Sequence, residues 1–264
     1  MKKAIIKVSG KTINNITGDR NWIELLNSIK EEYDSVIIVH GAGIKITEWS
    51  AQLGINARYF EGHRITDEQT MDVVAAVQGG LINLKLVSYL QANGIESIGL
   101  SGIDRGIFNA DYLNKEIGFV GRPEQVGCSK WLDKLLDEGV IPVFSSICKD
   151  EFGNLMNVNA DLFANALAVS LKADTVFFIS DIEGVYINGV CQKNLTQSQI
   201  NQGIMNNEIT DGMVPKLLSC LHLLSHGIKK IWIGNEIEFV SHKENFNTNN
   251  IGGTWIGKPK KIAS

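Results

Sequence analysis

Lys7 stands in Lys7-Val8-Ser9-Gly10, at the end of a short apolar run. A lysine followed by a tight turn can hold phosphate, because the ammonium is a point charge and turn N–H groups donate. A solvated lysine before a loop would read the same way. His40-Gly41-Ala42-Gly43 follows a second apolar run and precedes an amphipathic one. Small residues let backbone N–H groups approach an anion there, and the next helix adds its N-terminal dipole. A close-packed strand–helix turn with no ligand is the alternative. Arg64 lies in "GHRITD", just before a helix that Thr66 or Asp67 can cap. Its planar fork suits a carboxylate, and an isolated arginine also suits a surface ion pair. In "NVNAD", Asn157 and Asn159 alternate on an extended segment, so both point one way, and Asp161 opens a helix. A cap and turn accounts for one or two of those three polar residues. "SDIEGVY" (Ser180 to Tyr186) sits where a further strand ends, and "TDGMVPK" (Thr210 to Lys216) enters a helix with Pro215 in its first turn.

The elements that must position these residues alternate along the chain. Strand-type runs are Ala4 to Val8, Val36 to Val39, Ser97 to Leu100, Ile141 to Phe144, Thr175 to Ile179 and Ile231 to Ile233, with "GTWI" as a last candidate. Helical patterns cover Asn21 to Glu32, Ile44 to Leu53, Asp67 to Asn93, Trp131 to Leu136, Asp161 to Leu171 and Met213 to Leu224. Gly79-Gly80 predicts a break or kink in the longest of them. Asp104 to Val126, "KDEFGNLMN" and "GVYINGV" read as hairpins, and "ENFNTNN" as a surface loop. This alternation predicts an α/β fold with a mostly parallel sheet covered on both faces. Ligands of such sheets bind beyond the carboxyl ends of the strands, where the turns after Val8, Val39, Leu100 and Ile179 fall.

The chain has 264 residues, 44% hydrophobic and 20% charged, enough for one large α/β domain or two fused lobes. A net charge of −4 argues against a general nucleic-acid binder, so an anionic ligand must be held by local groups. The first apolar run ends after five residues, too short for a signal peptide, and no stretch is expected to span a membrane. Cys128, Cys148, Cys191 and Cys220 form no CxxC pair and suit a reduced, cytoplasmic protein.

Taken in order, "KVSG", "HGAG", "GHRITDEQTMDVV", "GLIN", "GLSGIDRG", "NVNAD", "SDIEGVY", "DGMVPK" and "GTWI" resemble the amino acid kinase family, most closely its acetylglutamate kinases of arginine synthesis. The resemblance covers nearly the whole chain. It implies a three-layer αβα sandwich around a mainly parallel eight-stranded sheet. Residues 1–179 would form an N-terminal lobe for acylated amino acid and dimerisation, and 180–264 a C-terminal lobe for ATP. It implies ATP-dependent phosphorylation of the side-chain carboxylate of an N-acylated glutamate. Lys7 and Lys216 match the lysines that stabilise the transferring phosphoryl group, and Asp161 the aspartate that organises them. Gly41, Ala42, Arg64, Asn157 and Asn159 match substrate-binding positions; Ser9, Gly10 and Gly43 match phosphate-binding ones. Ser180, Asp181, Gly184, Val185, Tyr186, Ile209, Thr210, Asp211 and Met213 match the nucleotide loops. The cofactors implied are ATP and Mg²⁺, the metal held mainly by ATP and water rather than by protein ligands. A carboxylate is already ionised at pH 7 and needs no general base, so positive charge and positioning must carry the catalysis. None of the five histidines need be catalytic, and His40 reads as a turn or packing residue.

Two turns depart from the family pattern, Lys-x-Gly-Gly and His-Gly-Gly-Gly. Ser9 and Ala42 each replace a glycine. Ala42 keeps its N–H, but its methyl is expected where backbone meets substrate or phosphate. With His63, it keeps an N-succinyl glutamate or a carrier-linked aminoadipate open as substrate, and a non-catalytic nucleotide-binding homologue as another class. Arginine-inhibited relatives carry an extra N-terminal helix that joins dimers into hexamers. Only Met1-Lys2-Lys3 precedes the first strand here, so a homodimer through Asp67 to Asn93 with little arginine inhibition is expected.

Overall fold

The computed structural model describes residues 1–13, 20–127, 129–210, 212–235 and 252–257. In chain order its strands begin with β1 (Lys3–Val8), β2 (Ser35–His40), β3 (Tyr59–Phe60), β4 (His63–Arg64) and β5 (Ser97–Ser101). Next come β6 (Phe108–Tyr112), β7 (Val120–Gln125), β8 (Ile141–Ser145), β9 (Ile147–Lys149), β10 (Leu155–Val158) and β11 (Thr175–Ile179). The last are β12 (Val185–Ile187), β13 (Val190–Gln192), β14 (Asn194–Leu195), β15 (Lys230–Gly234) and β16 (Thr254–Gly257). The helices are α1 (Arg20–Glu32), α2 (Gly43–Gln52), α3 (Glu68–Val74), α4 (Asn83–Ala92), α5 (Lys130–Asp137), α6 (Ala160–Ser170), α7 (Gln197–Met205) and α8 (Met213–Ser225).

Eight strands form one sheet in the order β14-β16-β15-β11-β1-β2-β8-β5, parallel except where β15 meets β16. Successive side chains of the central strands enter different cores. Ile5, Ile37, Val39 and Phe178 join the layer of α5, α6, α7 and α8. Ile6, Val8, Ile38 and Phe177 join the layer of α1, α2, α3 and α4. A strand buried on both faces must read as a continuous apolar run, as "AIIKV" and "SVIIV" nearly do. The two cores are therefore the two faces of one sheet. Because β1, β2, β5 and β11 run parallel, the turns that follow them share one edge.

Of the break or kink expected at Gly79-Gly80, the break is absent, but the chain leaves α-helical geometry there. α3 and α4 are joined without interruption by a π-helical segment, Ala75–Ile82. A Cβ on Gly79 would lie 3.0 Å from Ile147 Cδ1, so close packing explains that glycine. The run Glu68–Ala92 is, by length and composition, long and apolar enough to cross a membrane, contrary to the expectation above. It packs Val74, Val77, Leu86 and Leu90 onto the sheet, which accounts for its apolar character as a core helix. The predicted hairpins form, and they do more than lie on the fold: β6, β7, β9 and β10 close on one another as a small barrel. Three elements carried too little apolar pattern to be foreseen, the β3–β4 hairpin, β14 and α7. The last of these starts at a capping box between Thr196 and Gln199. The stretch "ENFNTNN" lies outside the described residues.

Candidate active site

Lys7 is the one polar side chain of the run Ala4 to Val8 within β1. Alternation puts it on the face of Ile5, which α6 covers. There its Nζ meets Asp161 Oδ1 at 2.7 Å, and the residue is only 8% exposed. Asp161 is in the first turn of α6 because Asn159 caps that helix, its Oδ1 accepting from the N–H groups of Asp161 and Leu162. Lys216 reaches the same place from the first turns of α8. Burial opposes the charge on Asp161, yet Lys7 and Lys216 overcome it and hold the carboxyl below the usual carboxylate range. For Lys216, burial and the charge of Lys7 together outweigh Asp161 and lower the ammonium's pKa. Two cations thus share one anion, leaving positive charge uncompensated at the carboxyl edge of the sheet.

The glycine turns close over this edge. A Cβ on Gly10 would stand 2.7 Å from Gly43 N and 3.3 Å from Ala42 C, so the two turns touch backbone to backbone. A Cβ on Gly41 would reach Ala160 at the start of α6 at 3.7 Å. Gly43 opens α2, whose first-turn amides have no intrahelical acceptor, and a Cβ there would meet nothing within 4 Å. The N-terminus of α2 therefore offers free amides close to the start of α6, a place that favours an anion.

Arg64, 8% exposed, extends from β4 into the same turn. Its Nη2 donates to Gly43 O (3.0 Å), Thr47 Oγ1 (2.6 Å) and Tyr59 Oη (2.7 Å), and the guanidinium lies 5.0 Å from the centre of the Tyr59 ring. Burial lowers its pKa, and Tyr59 acts against that. No carboxylate among the described residues pairs with it, and its enclosed Nη1 has no acceptor there. A buried, unneutralised guanidinium is costly unless an anion arrives.

The family model described as the amino acid kinase family matches residues 2–235. The chain belongs to the amino acid kinase family. It is 33% identical over 265 residues to an acetylglutamate kinase of Bacillus licheniformis, covering 100% of this chain and 99% of the relative. It is 33% identical to another acetylglutamate kinase, from Chlorobaculum tepidum, over 87% of this chain and 81% of the relative. A solved Streptococcus mutans protein, smu.665, superposes with a TM-score of 0.80 at 25% identity, over 97% of this chain and 99% of that one.

Not every position suggested by the amino acid kinase resemblance faces the gap in the same way. Ser9 spends its amide on Ile179 O (3.0 Å), and its hydroxyl is 2.9 Å from that of Thr12, leaving Gly10 as the first-turn amide nearest Gly43. The expectation for Ala42 is overturned. Its φ of −147° is outside the left-handed region, and the residue is 1% exposed, its methyl buried in the core shared with Ile46. Asn157, on β10, donates from Nδ2 to Thr66 Oγ1 at 3.1 Å. Asn159 is the helix cap, so its oxygen is committed.

On the nucleotide side, Ser180 extends the β11–β15 pairing through Gly234 O, and its buried hydroxyl has no partner among the described residues. Asp181 is exposed and pairs with Lys11 at 2.7 Å. Gly184 is packed so tightly that a Cβ would come 2.8 Å from Thr254 Oγ1, and Val185 N–H donates to that same oxygen. Tyr186 is exposed and donates to Glu183 at 2.5 Å. Ile209 is buried, Thr210 is at the surface, Met213 starts α8, and Asp211 lies outside the described residues. Sequence reasoning missed Thr47 and Tyr59, which hold Arg64, and Asn83, which donates to His40 Nε2 at 3.0 Å. Only contacts distant in sequence disclose the last pair.

Proposed function

We propose that this chain transfers the γ-phosphoryl group of ATP to the side-chain carboxylate of an N-acylated glutamate, N-acetyl-L-glutamate foremost, as a step of arginine synthesis. The observation that carries the reading is the Lys7–Asp161–Lys216 cluster set against two touching glycine turns, with the unneutralised Arg64 anchored on one of them. The identity with acetylglutamate kinases over the full chain supports the same substrate.

The chemistry follows from charge. A carboxylate oxygen attacks the γ-phosphorus, the bond to the β–γ bridging oxygen breaks, and ADP leaves with that electron pair. Nucleophile and target are both anionic, so the barrier is largely repulsion and misorientation. Lys7 and Lys216 offset the charge, and Asp161 fixes where their ammonium groups lie. Of the turn amides, those of Gly10 and Gly43 receive phosphoryl oxygens, since Gly41 N–H donates to Val8 O. Arg64, with Asn157 and Asn159, orients the acylated amino acid through a carboxylate other than the one that reacts. His40 is fully buried and its pKa is pushed down to about 4 by burial, against the pull of its bond to Gly41 O. It takes no part as an acid. Asp161 and Asp181 are each engaged by a lysine at 2.7 Å, so the donor set fits a Mg²⁺ brought in on the nucleotide's oxygens. That ion would neutralise charge on the phosphates.

The division into an acyl-amino-acid lobe (1–179) and a nucleotide lobe (180–264) belongs to this reading. It is supported by β14, β16 and β15 lying together at one end of the sheet. A homodimer belongs to it as well: β5 is the opposite edge strand, with Ile98 38% exposed beside α4, where Leu84 is 69% exposed. So does a cytoplasmic setting, consistent with the free thiols of Cys148, Cys191 and Cys220. An ATP-dependent hydroxamate assay across N-acetyl-, N-succinyl- and free glutamate and aminoadipate tests the function. The highest kcat/KM is expected for N-acetylglutamate. A preference for another acyl group would correct the substrate, and no ADP release with any of them would overturn the kinase reading.

A further inference from the structure

The turns that follow β1 and β11 run side by side, since Val8 pairs with Ile179 and Ser9 N–H donates to Ile179 O. A little further along each turn, Lys11 Nζ and Asp181 Oδ2 meet at 2.7 Å across 170 residues of sequence. The Lys11 side chain is 65% exposed and that of Asp181 51%, so water screens the pair and it stabilises the fold little. Its place is more telling than its strength. Lys11 directly follows Gly10, whose backbone touches Gly43, and Asp181 is near enough to Lys216 for the lysine to hold its carboxyl down, after the larger effect of Lys11 itself. Lys7, Asp161, Lys216, Asp181 and Lys11 therefore alternate in sign, each interacting with the next. At the floor of the gap two lysines share one aspartate. At its mouth Lys11 has a partner of its own that is half exposed and replaceable.

We propose that Lys11 is a third phosphate-binding cation, resting on Asp181 while the site is empty and moving onto the terminal phosphates of the nucleotide when it enters. The proposal rests on the kinase reading above. A lysine has the flexible stem such a move needs, and a polyphosphate offers it more negative charge than one carboxylate does. The adjoining turn gives the terminal phosphates, not the adenine, as the part of the ligand within its reach.

Titration calorimetry on the full chain tests this, with a non-hydrolysable ATP analogue plus Mg²⁺, and AMP as the control lacking terminal phosphates. In Lys11→Met the analogue's Kd is expected to rise about tenfold to a hundredfold, the loss of one charge-assisted contact, with AMP changed by less than about twofold. Lys11→Arg should recover most of the affinity. Lys11→Gln serves as a second charge-free variant should the first fold poorly. Wild-type affinity for the analogue in both charge-free variants overturns the proposal, as does an equal loss for the analogue and AMP, the behaviour of a mere clasp between turns. A wild-type chain that binds neither nucleotide overturns the kinase reading itself, so the two failures are told apart.

Discussion

Gly10→Ala puts the contact between the two glycine turns to the test. Gly10 is not among the glycines with positive φ, so alanine meets no backbone strain there. The difficulty is space: the new Cβ would lie 2.7 Å from Gly43 N, 3.3 Å from Ala42 C and 3.4 Å from Ala42 N. All three atoms are backbone, and none can rotate away as a side chain would. Restoring an ordinary contact of about 3.5 Å requires the turns to part by about 0.8 Å. Overpacking of that kind costs about 1–3 kcal/mol, a fall in Tm of roughly 2–12 °C for a chain this size. Moving the phosphate-facing amides of Gly10 and Gly43 apart by nearly an ångström should lower kcat between about tenfold and a hundredfold. Gly43→Ala is the matched control, since a Cβ there meets no atom within 4 Å. It should leave Tm unchanged or higher while placing a methyl in the gap. The assay is ADP release at saturating substrates, paired with thermal melting of each variant. Wild-type kcat in a folded Gly10→Ala variant would refute the claim that the touching turns set the phosphate geometry.

Three further outcomes follow from the same structure. Arg64→Lys should raise KM for the acylated amino acid about tenfold while KM for ATP changes little, because an ammonium cannot replace the fork held by Gly43, Thr47 and Tyr59; equal effects on both constants would place Arg64 outside the substrate site. Ala42→Gly should cost about 1 kcal/mol through the lost methyl and the freer chain, and leave the ratio of kcat/KM for acetyl- and succinyl-glutamate unchanged, since the methyl is in the core; a changed ratio would contradict that. His40 titrates near pH 6.5 in the unfolded chain and near 4 in the folded one, so its contribution to stability is complete above about 6.5 and falls by about 3 kcal/mol as pH drops to about 4. Urea unfolding of wild type and His40→Gln across that window should show the smaller acid-side loss in the variant, and identical losses would show that His40 is not the group responsible.

The layers of the fold were legible in the sequence because their cause is local. "AIIKV" and "SVIIV" have apolar residues on both faces, which only a covered parallel strand needs, and α6 and α8 announce themselves by a cap and by a proline in the first turn. The candidate site was legible to the extent that it hangs on those elements. Lys7 had to point to the side of Ile5, and Asp161 had to lie at a helix start, so their meeting at 2.7 Å needs little beyond strand alternation and the cap at Asn159.

What could not be read depends on contacts between segments far apart in sequence. The substitution of Ala42 for glycine suggested a methyl facing the ligand, because the motif says that the backbone approaches an anion there. It says nothing of which way the Cα–Cβ bond points. In the fold, the α2 N-terminus turns that bond toward Ile46 and the core. The glycine that has no room for a methyl is Gly10, which meets the second turn over thirty residues away in sequence. The same reasoning separates Lys7 from Lys11. Both are lysines flanking one turn, but Lys7 is fixed by the strand it belongs to, whereas the partner of Lys11 is set by the β1–β11 register, which appears only when residue 8 is placed beside residue 179. Tight turns between parallel strands therefore carry a readable chemical type and an unreadable geometry, and at this site the geometry decides which residue tolerates substitution.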